Sequence, residues 1–421
     1  MSTPTDALQR LRRVHEDAVL SALRSAGALS RAQLTERTGL SRTTLFAIVS
    51  DLMERGAVIE TEAAPAEPRG RGRPATLVSL NPAAGLLLGL DLGRGRVRLA
   101  VANAAHQVVA TASAGLPEGT GPLEQAEAAV RLVREVAAER GVGLGALEAV
   151  GLGLVGVVDE HVPAVTLTGP GAATGRTTPA SPASGEPGPG AARVPARYLP
   201  LVLRVAEEFG VRVAVDNNAR LAALAEATWG VARPVRDMVY VRWSVGVGGG
   251  FLSGGRLLRG AHGAGGELGH VSLDPAGPPC HCGGRGCLEG RIGGQRLLDA
   301  CAARGVPLAN LDALVTAAQD RVPAVCAVVA EAAADLGRVL AGTVTQLDPA
   351  LVVVGGELAA LGSLVLDPIR DAISGQALPR SPRQIEVTQA DLGVNASAMG
   401  AIALLLHEEP SIPAHLRPAI P

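Results

Sequence analysis

Three cysteines and a histidine crowd one short stretch of this 421-residue chain: His270, Cys280, Cys282 and Cys287. The segment that carries them, His270 to Glu289, is rich in Gly and Pro and poor in large apolar side chains, so it cannot order itself around a core of its own. Three thiolates and one imidazole complete a tetrahedral Cys₃His shell, which suits a structural Zn²⁺ with no position left open for water. The alternatives are free thiols or a disulfide, and a disulfide would strand one of the three cysteines. His281 competes with His270 as the nitrogen ligand, but its place between Cys280 and Cys282 leaves it badly set to reach back to the same ion. A zinc staple on His270, Cys280, Cys282 and Cys287 is therefore the expected cofactor.

Carboxylates flank the same loop. The run Gly266-Glu267-Leu268-Gly269-His270, followed by Cys280-x-Cys282-Gly283-x-x-Gly286-Cys287-Leu288-Glu289, resembles the signature of the ROK family, which joins sugar kinases and sugar-responsive transcriptional repressors. The resemblance covers nearly the whole chain. It implies that Glu267 and Glu289 contact sugar hydroxyls and that His270 serves both roles, one ring nitrogen on the metal and the other on the sugar. Such groups donate and accept hydrogen bonds at fixed angles, as discrimination among polyols requires.

Stepping outward, Leu86–Gly93 reads as a buried strand entering a Gly-bearing turn, with Val97–Val101 as its hairpin partner. The pattern recurs at Met238–Val241, then Ser244–Gly250 as a second glycine turn, then Phe251-Leu252, and this recurrence indicates an internal duplication. The resemblance implies two α/β lobes of the actin–hexokinase type facing a cleft; in kinases of that class the two turns hold the phosphates of ATP. This chain departs from that kinase pattern. Asp91-Leu92-Gly93-Arg94-Gly95 lacks the threonine of the first turn, and Val245 stands where the second usually has one. Val215-Asp216-Asn217-Asn218-Ala219 puts Asn218 at the catalytic aspartate's position. An amide cannot take the proton of an attacking hydroxyl, and losing a general base costs about 10²–10⁴ in rate. Asp216 lies two residues before Asn218, at the end of the strand, and is not expected to replace it as the base. No catalysis is expected, while Asn217 and Asn218 remain able to bind sugar hydroxyls. A segment with a Pro-Asn motif and a tryptophan, which family members commonly place after the strand Ala149–Val155, has no counterpart here; Gly169–Pro195 is instead expected to be a flexible surface insertion. The glycines ending Leu351–Glu357 are read as a tight strand-to-helix turn, and Ala396–Leu406 as a helix packed on the first lobe.

The amino-terminal segment has its own logic. Apolar residues Val14, Ala18, Val19, Ala22 and Leu23 recur at helical spacing, Ser30-Arg31-Ala32-Gln33 forms a capping box, and Ser41 caps a third helix with Leu45, Ile48, Val49 and Leu52 as its buried stripe. Two short helices joined by a turn at Gly39 have the form of a helix-turn-helix, with Ser41, Arg42, Thr43 and Thr44 set to meet phosphates and base edges and Ala47 and Ser50 also facing outward. Gly56–Thr61 and Ala75–Leu80 read as the strands of a wing. Between them Arg69, Arg71 and Arg73 alternate with small residues in a narrow ribbon suited to a minor groove. A protein-interaction bundle is the alternative for the helices alone.

Composition bounds the rest. All 38 basic residues are Arg, the net charge is −2, and the first 80 residues hold eleven Arg against nine acids, so any contact with DNA must be local. The absence of an apolar run long enough for a membrane or of a signal-peptide core leads to a cytoplasmic expectation. Cys301 and Cys326, in Ala/Val-rich helical surroundings, are expected to be small buried side chains. The expected architecture is a winged helix-turn-helix over residues 1–80, a two-lobed α/β sugar-kinase-like domain over 81–408 and a tail over 409–421. The expected protein is a sugar-responsive, DNA-binding transcriptional repressor acting on an operator as a homodimer or dimer of dimers. The rival from another class is an ATP-dependent sugar kinase with an appended DNA-binding domain.

Overall fold

The computed structural model describes residues 12, 14–16, 18–23, 26–62, 76–117, 119–158, 195–378 and 385–408. Arg69, Arg71 and Arg73, nearly all of Gly169–Pro195 and the 409–421 tail lie outside them.

Residues 14–16 and 18–23 are helical and bury Val19, Leu20 and Leu23. There follow β1 (Leu29–Ser30), α1 (Arg31–Thr38), α2 (Arg42–Glu54), β2 (Val58–Glu62) and β3 (Thr76–Leu80). The expected capping box holds: Gln33 N donates to Ser30 Oγ at 3.3 Å and Ser30 N to the Gln33 side chain at 2.8 Å. Gly39 ends α1 at φ 68°, a left-handed position that glycine adopts without steric cost. β3 pairs antiparallel with β2 and also with β1. Two residues are too few to leave a periodicity, so β1 is invisible in the sequence.

The first lobe contains β4 (Leu86–Leu92), β5 (Arg96–Asn103), β6 (Val108–Gly115), α3 (Pro122–Arg140), β7 (Leu147–Leu154), α4 (Leu199–Phe209) and β8 (Arg212–Asn217). Then come α5 (Asn218–Thr228), β9 (Met238–Trp243), β10 (Val247–Ser253), β11 (Arg256–Leu258), α6 (Glu289–Ile292), α7 (Gly294–Ala303), α8 (Leu311–Gln319) and α9 (Pro323–Leu347). The chain closes with β12 (Leu351–Gly355), α10 (Ser363–Gln376), β13 (Glu386–Gln389) and α11 (Ala396–Glu408). The two sheets have the orders β6-β5-β4-β7-β8 and β11-β10-β9-β12-β13. In each, the first three strands are antiparallel and the last two join in parallel, so the duplication expected from the glycine turns is real at the level of topology.

α3 and α4 cover one face of the first sheet, and α11 with part of α5 covers the other. The second approach is close. A Cβ at Gly151 of β7 would lie 2.1 Å from Ala401 O, and one at Gly400 of α11 would lie 1.8 Å from Leu221 O, so these glycines let backbones touch. The same physics corrects the second glycine turn. Only Ser244–Gly246 turns; Gly248, Gly249 and Gly250 lie inside β10, where a Cβ at Gly250 would come within 2.6 Å of Ala223 Cβ on α5. The run is a seat for a helix as much as a loop. Gly356, by contrast, has φ 89° with Trp243 O directly beneath, in keeping with a tight turn after β12. Cys301 is fully buried, whereas Cys326 is only half-buried, with its thiol 3.6 Å from Ala318 O.

Candidate functional site

The Gly/Pro-rich loop is tied by backbone bonds Leu273 N to Gly286 O and Leu288 N to Val271 O, both 2.9 Å, and by Cys280 N to Gly284 O at 2.9 Å. These gather the donors. One atom each of His270, Cys280, Cys282 and Cys287 lies within 4.8 Å of the others. Cys280 Sγ is 3.7 Å from His270 Nδ1, and Cys282 Sγ is 3.6 Å from Cys287 Sγ. A tetrahedron with donors about 2.0–2.3 Å from its centre has edges of about 3.3–3.8 Å, so this set fits a Cys₃His zinc. His281 also comes near, its Nδ1 3.8 Å from Cys280 Sγ, but its Nε2 lies 3.8 Å from Glu289 Oε1, and with His270 and Glu289 it makes a second, mixed nitrogen and oxygen group.

His270 stands at the junction of metal and cleft. Its Nδ1 faces the sulfurs and its Nε2 lies 3.9 Å from Glu267 Oε2. Burial pushes the Glu267 carboxyl above its ordinary value, with His270 and Arg220 opposing. Glu289 opens α6 and accepts from Val247 N at 2.8 Å, which fixes one oxygen and leaves the other towards Arg94 Nη2 at 4.0 Å. Asn217 caps α5, its oxygen taking Ala219 N (2.8 Å) and Arg220 N (3.2 Å) and its Nδ2 donating to Gly156 O (3.0 Å). One N–H of that amide is left over. All these residues, with Asn218, line a cleft of ≈ 630 Å³ between the sheets, within the usual range for small-ligand sites.

The far side of the cleft is filled with charge from the chain itself. Asp91 at the end of β4 is fully buried, with Arg98 Nη1 at 3.6 Å, Arg242 Nη2 at 3.5 Å and Asn218 Nδ2 donating at 3.2 Å. Arg98 Nη2 also reaches Glu357 at 2.9 Å. Burial raises the Glu357 carboxyl, but a hydrogen bond from Ser244 and the charges of Arg242 and Arg98 outweigh it, leaving the group below its ordinary value. Arg98 and Arg242 were missed in the sequence reading. The signal was there: Arg98 stands between Val97 and Leu99 and Arg242 between Val241 and Trp243, and a charge in so apolar a setting needs a partner.

Asp216, two residues before Asn218, is withdrawn from the cleft. It is 1 % exposed, one oxygen held by Arg220 (2.7 and 2.6 Å) and the other by Arg259 (2.8 Å).

On α2, Ser41, Arg42 and Thr43 are exposed, while Thr44 is half-buried with its hydroxyl 2.8 Å from Ser41 Oγ. Ser41 Oγ also accepts from Thr44 N at 3.1 Å, so this pair serves the helix start. Phe46, overlooked as an outward residue, is 60 % exposed.

The chain is 24% identical over 396 residues to the xylose repressor of Bacillus spizizenii (strain ATCC 23059 / NRRL B-14472 / W23), covering 94% of this chain and 96% of that protein. It is 33% identical over 232 residues to a glucokinase of Halalkalibacterium halodurans, covering 51% of this chain and 70% of that enzyme. Among solved structures, a ROK family transcriptional regulator described as a homolog of the E. coli MLC protein superposes with a TM-score of 0.70 at 23% identity, over 96% of this chain and 98% of that one. That likeness establishes the two-lobed fold. The ROK family model matches residues 87–408, most of the chain, and by that match, together with the two lobes and the cysteine–histidine loop, the chain belongs to the ROK family.

Proposed function

We propose that this protein is a sugar-responsive DNA-binding transcriptional regulator, a repressor, whose kinase-like body senses a sugar without converting it. The observation that carries this reading is the state of the cleft: Glu267, His270, Glu289, Asn217 and Asn218 still present hydrogen-bonding groups to polyol hydroxyls, while Asp91 is neutralised by Arg98 and Arg242 and faces an amide. A hydroxyl bound beside Asn218 meets an amide and a carboxylate already paired with two guanidinium groups. The similarity to a repressor over nearly the full chain, against half the chain for a glucokinase, supports the same conclusion.

In this reading residues 1–80 form a winged helix-turn-helix that meets an operator through Ser41, Arg42, Thr43 and Thr44 and through Arg69, Arg71 and Arg73. Residues 81–408 form the effector domain. Zinc on His270, Cys280, Cys282 and Cys287 supplies a closed cross-link and no reactive position. Held by its Nδ1, the His270 ring presents Nε2 to Glu267 and the ligand, so the staple sets the angle at which hydroxyls are read. Asp91 and Arg98 belong to the first lobe, Arg242 and Glu357 to the second. The four charges therefore join the lobes beside the ligand, where a sugar can favour one lobe arrangement over another. An effector acts only through such a difference in affinity. A homodimer or dimer of dimers matches the two-fold symmetry of operators.

The test is electrophoretic retardation of the duplex upstream of the protein's own gene, repeated with a panel of pentoses, hexoses and N-acetylhexosamines, alongside an ADP-release assay. Retardation altered by one sugar with no ADP release is the expected result. Turnover of ATP at about 1–100 s⁻¹, ordinary for kinases, with indifference to DNA would overturn it.

A further inference from the structure

We propose that Phe46 is a base-reading side chain that packs its ring on the 5-methyl group of a thymine in the major groove; the proposal rests on the DNA-binding reading of α2. The ring is 60 % exposed on a helix that buries Leu45, Ile48, Val49 and Leu52 and half-buries Met53. It stands four residues from Arg42 and three from Thr43, on the same exposed face. That face is complementary to an anionic occupant. Arg42–Ser50 contain no acidic residue, the helix N-terminus lies there, and Asp51 beyond it is engaged by Arg55 and Arg12.

The ring is also held in place. Arg31, first residue of α1, sets its guanidinium 5.5 Å from the ring centroid and is itself anchored by Glu60 of β2. One face of Phe46 is thus backed by a cation tied to the strand beside it, while the ring remains largely open to solvent. A phenyl ring offers no hydrogen bond, and the thymine methyl is the apolar group on a base edge in the major groove, so it is the matching partner. Little side-chain ordering is needed on binding.

The experiment begins by selecting operators for the full-length protein from a random duplex pool, then replaces each selected thymine by deoxyuridine, which removes only the methyl. Loss of one buried methyl weakens wild-type binding about four-fold at one thymine per half-site. Phe46→Ala binds thymine and deoxyuridine alike at that position, Phe46→Leu retains part of the difference, and both keep the wild-type selectivity elsewhere and an unchanged thermal midpoint. Wild-type protein that binds every deoxyuridine duplex like its parent, or Phe46→Ala that keeps the full methyl preference, overturns the proposal while leaving DNA binding intact. A shift in sedimentation from dimer to monomer in Phe46→Ala would show that a second copy covers the ring, and would also overturn it. Enrichment of no duplex at all would remove the DNA-binding reading, and this one with it.

Discussion

Asn218 and Asp91 share a hydrogen bond of 3.2 Å, and that geometry argues that restoring an aspartate at 218 will not restore a kinase. Two carboxylates at that separation cannot both ionise freely. Asn218→Asp is expected to lose about 1–3 kcal/mol of stability and to release no ADP with any sugar, as followed by thermal unfolding and a coupled assay. Phosphoryl transfer by this variant would show that Arg98 and Arg242 do not block the site. Glu357 tests the same cluster through pH. Its carboxyl titrates below the ordinary value of 4.5, so its stabilisation is present above the unfolded value and is lost as pH falls through the folded one. Glu357→Gln should therefore cost about 1–3 kcal/mol at neutral pH, and the deficit should shrink as pH falls through and below the carboxylate range, measured by urea unfolding of both proteins. A deficit independent of pH would mean that shape, not charge, is what Gln loses. At this scale the sequence was a partial guide. The family resemblance, and not residue type alone, marks Asn218 as an amide at a carboxylate's place; a lone Arg in an apolar strand does not name its partner, and Asp91 and Glu357 are contributed from opposite lobes.

The cysteine–histidine loop and α11 are the elements on which the cleft depends most directly. Cys282 is exposed, so Cys282→Ser removes a ligand without opening a cavity. It should abolish bound zinc by metal analysis. A sugar at about 100 times its Kd, which stabilises the wild type by about 2.7 kcal/mol, should then leave the variant's thermal midpoint unmoved. Cys301→Ser, far from the loop in sequence and in the core, should keep its zinc. Retained sugar-induced stabilisation in zinc-free protein would separate the staple from the ligand site. α11 lies so close to its neighbours that Gly400→Val should cost about 3 kcal/mol or more in denaturant unfolding, because the added atoms have the carbonyl of Leu221 in their path. Caps were legible at this scale, since Ser30, Gly39 and Ser41 each bond to a group no more than four residues away. The glycine run at 248–250 was not. A glycine needed for a turn and one needed for a helix's close approach look alike in one dimension.

For the whole molecule, no helix among the described residues is long and apolar enough to cross a membrane. The matching strand orders of the two sheets, with α5 and α11 against both the first sheet and each other, make a body in which a ligand at the cleft touches both lobes. Removal of the first 80 residues should abolish retardation of DNA at every concentration while leaving sugar binding within about two-fold, by calorimetry on the truncated and full-length proteins, since the described residues among them line no part of the cleft and bury a core of their own. Sugar binding lost together with DNA binding would mean that the amino-terminal unit completes the effector domain.

The reading of Asn218 in place of a catalytic aspartate rests on the family resemblance; residue type and short-range spacing by themselves marked out the Cys₃His donor set, the helix caps and the repeated strands. Each depends on chemistry intrinsic to a side chain or on contacts within a few residues. The folded chain alone decided that Asp216 is spent on Arg220 and Arg259, that Asp91 is held by Arg98 and Arg242 from two different lobes, and that the ring of Phe46 remains in solvent. These are matters of which distant groups share a small volume, and a Coulomb interaction or a steric contact at 2–4 Å depends on that separation and not on distance along the chain.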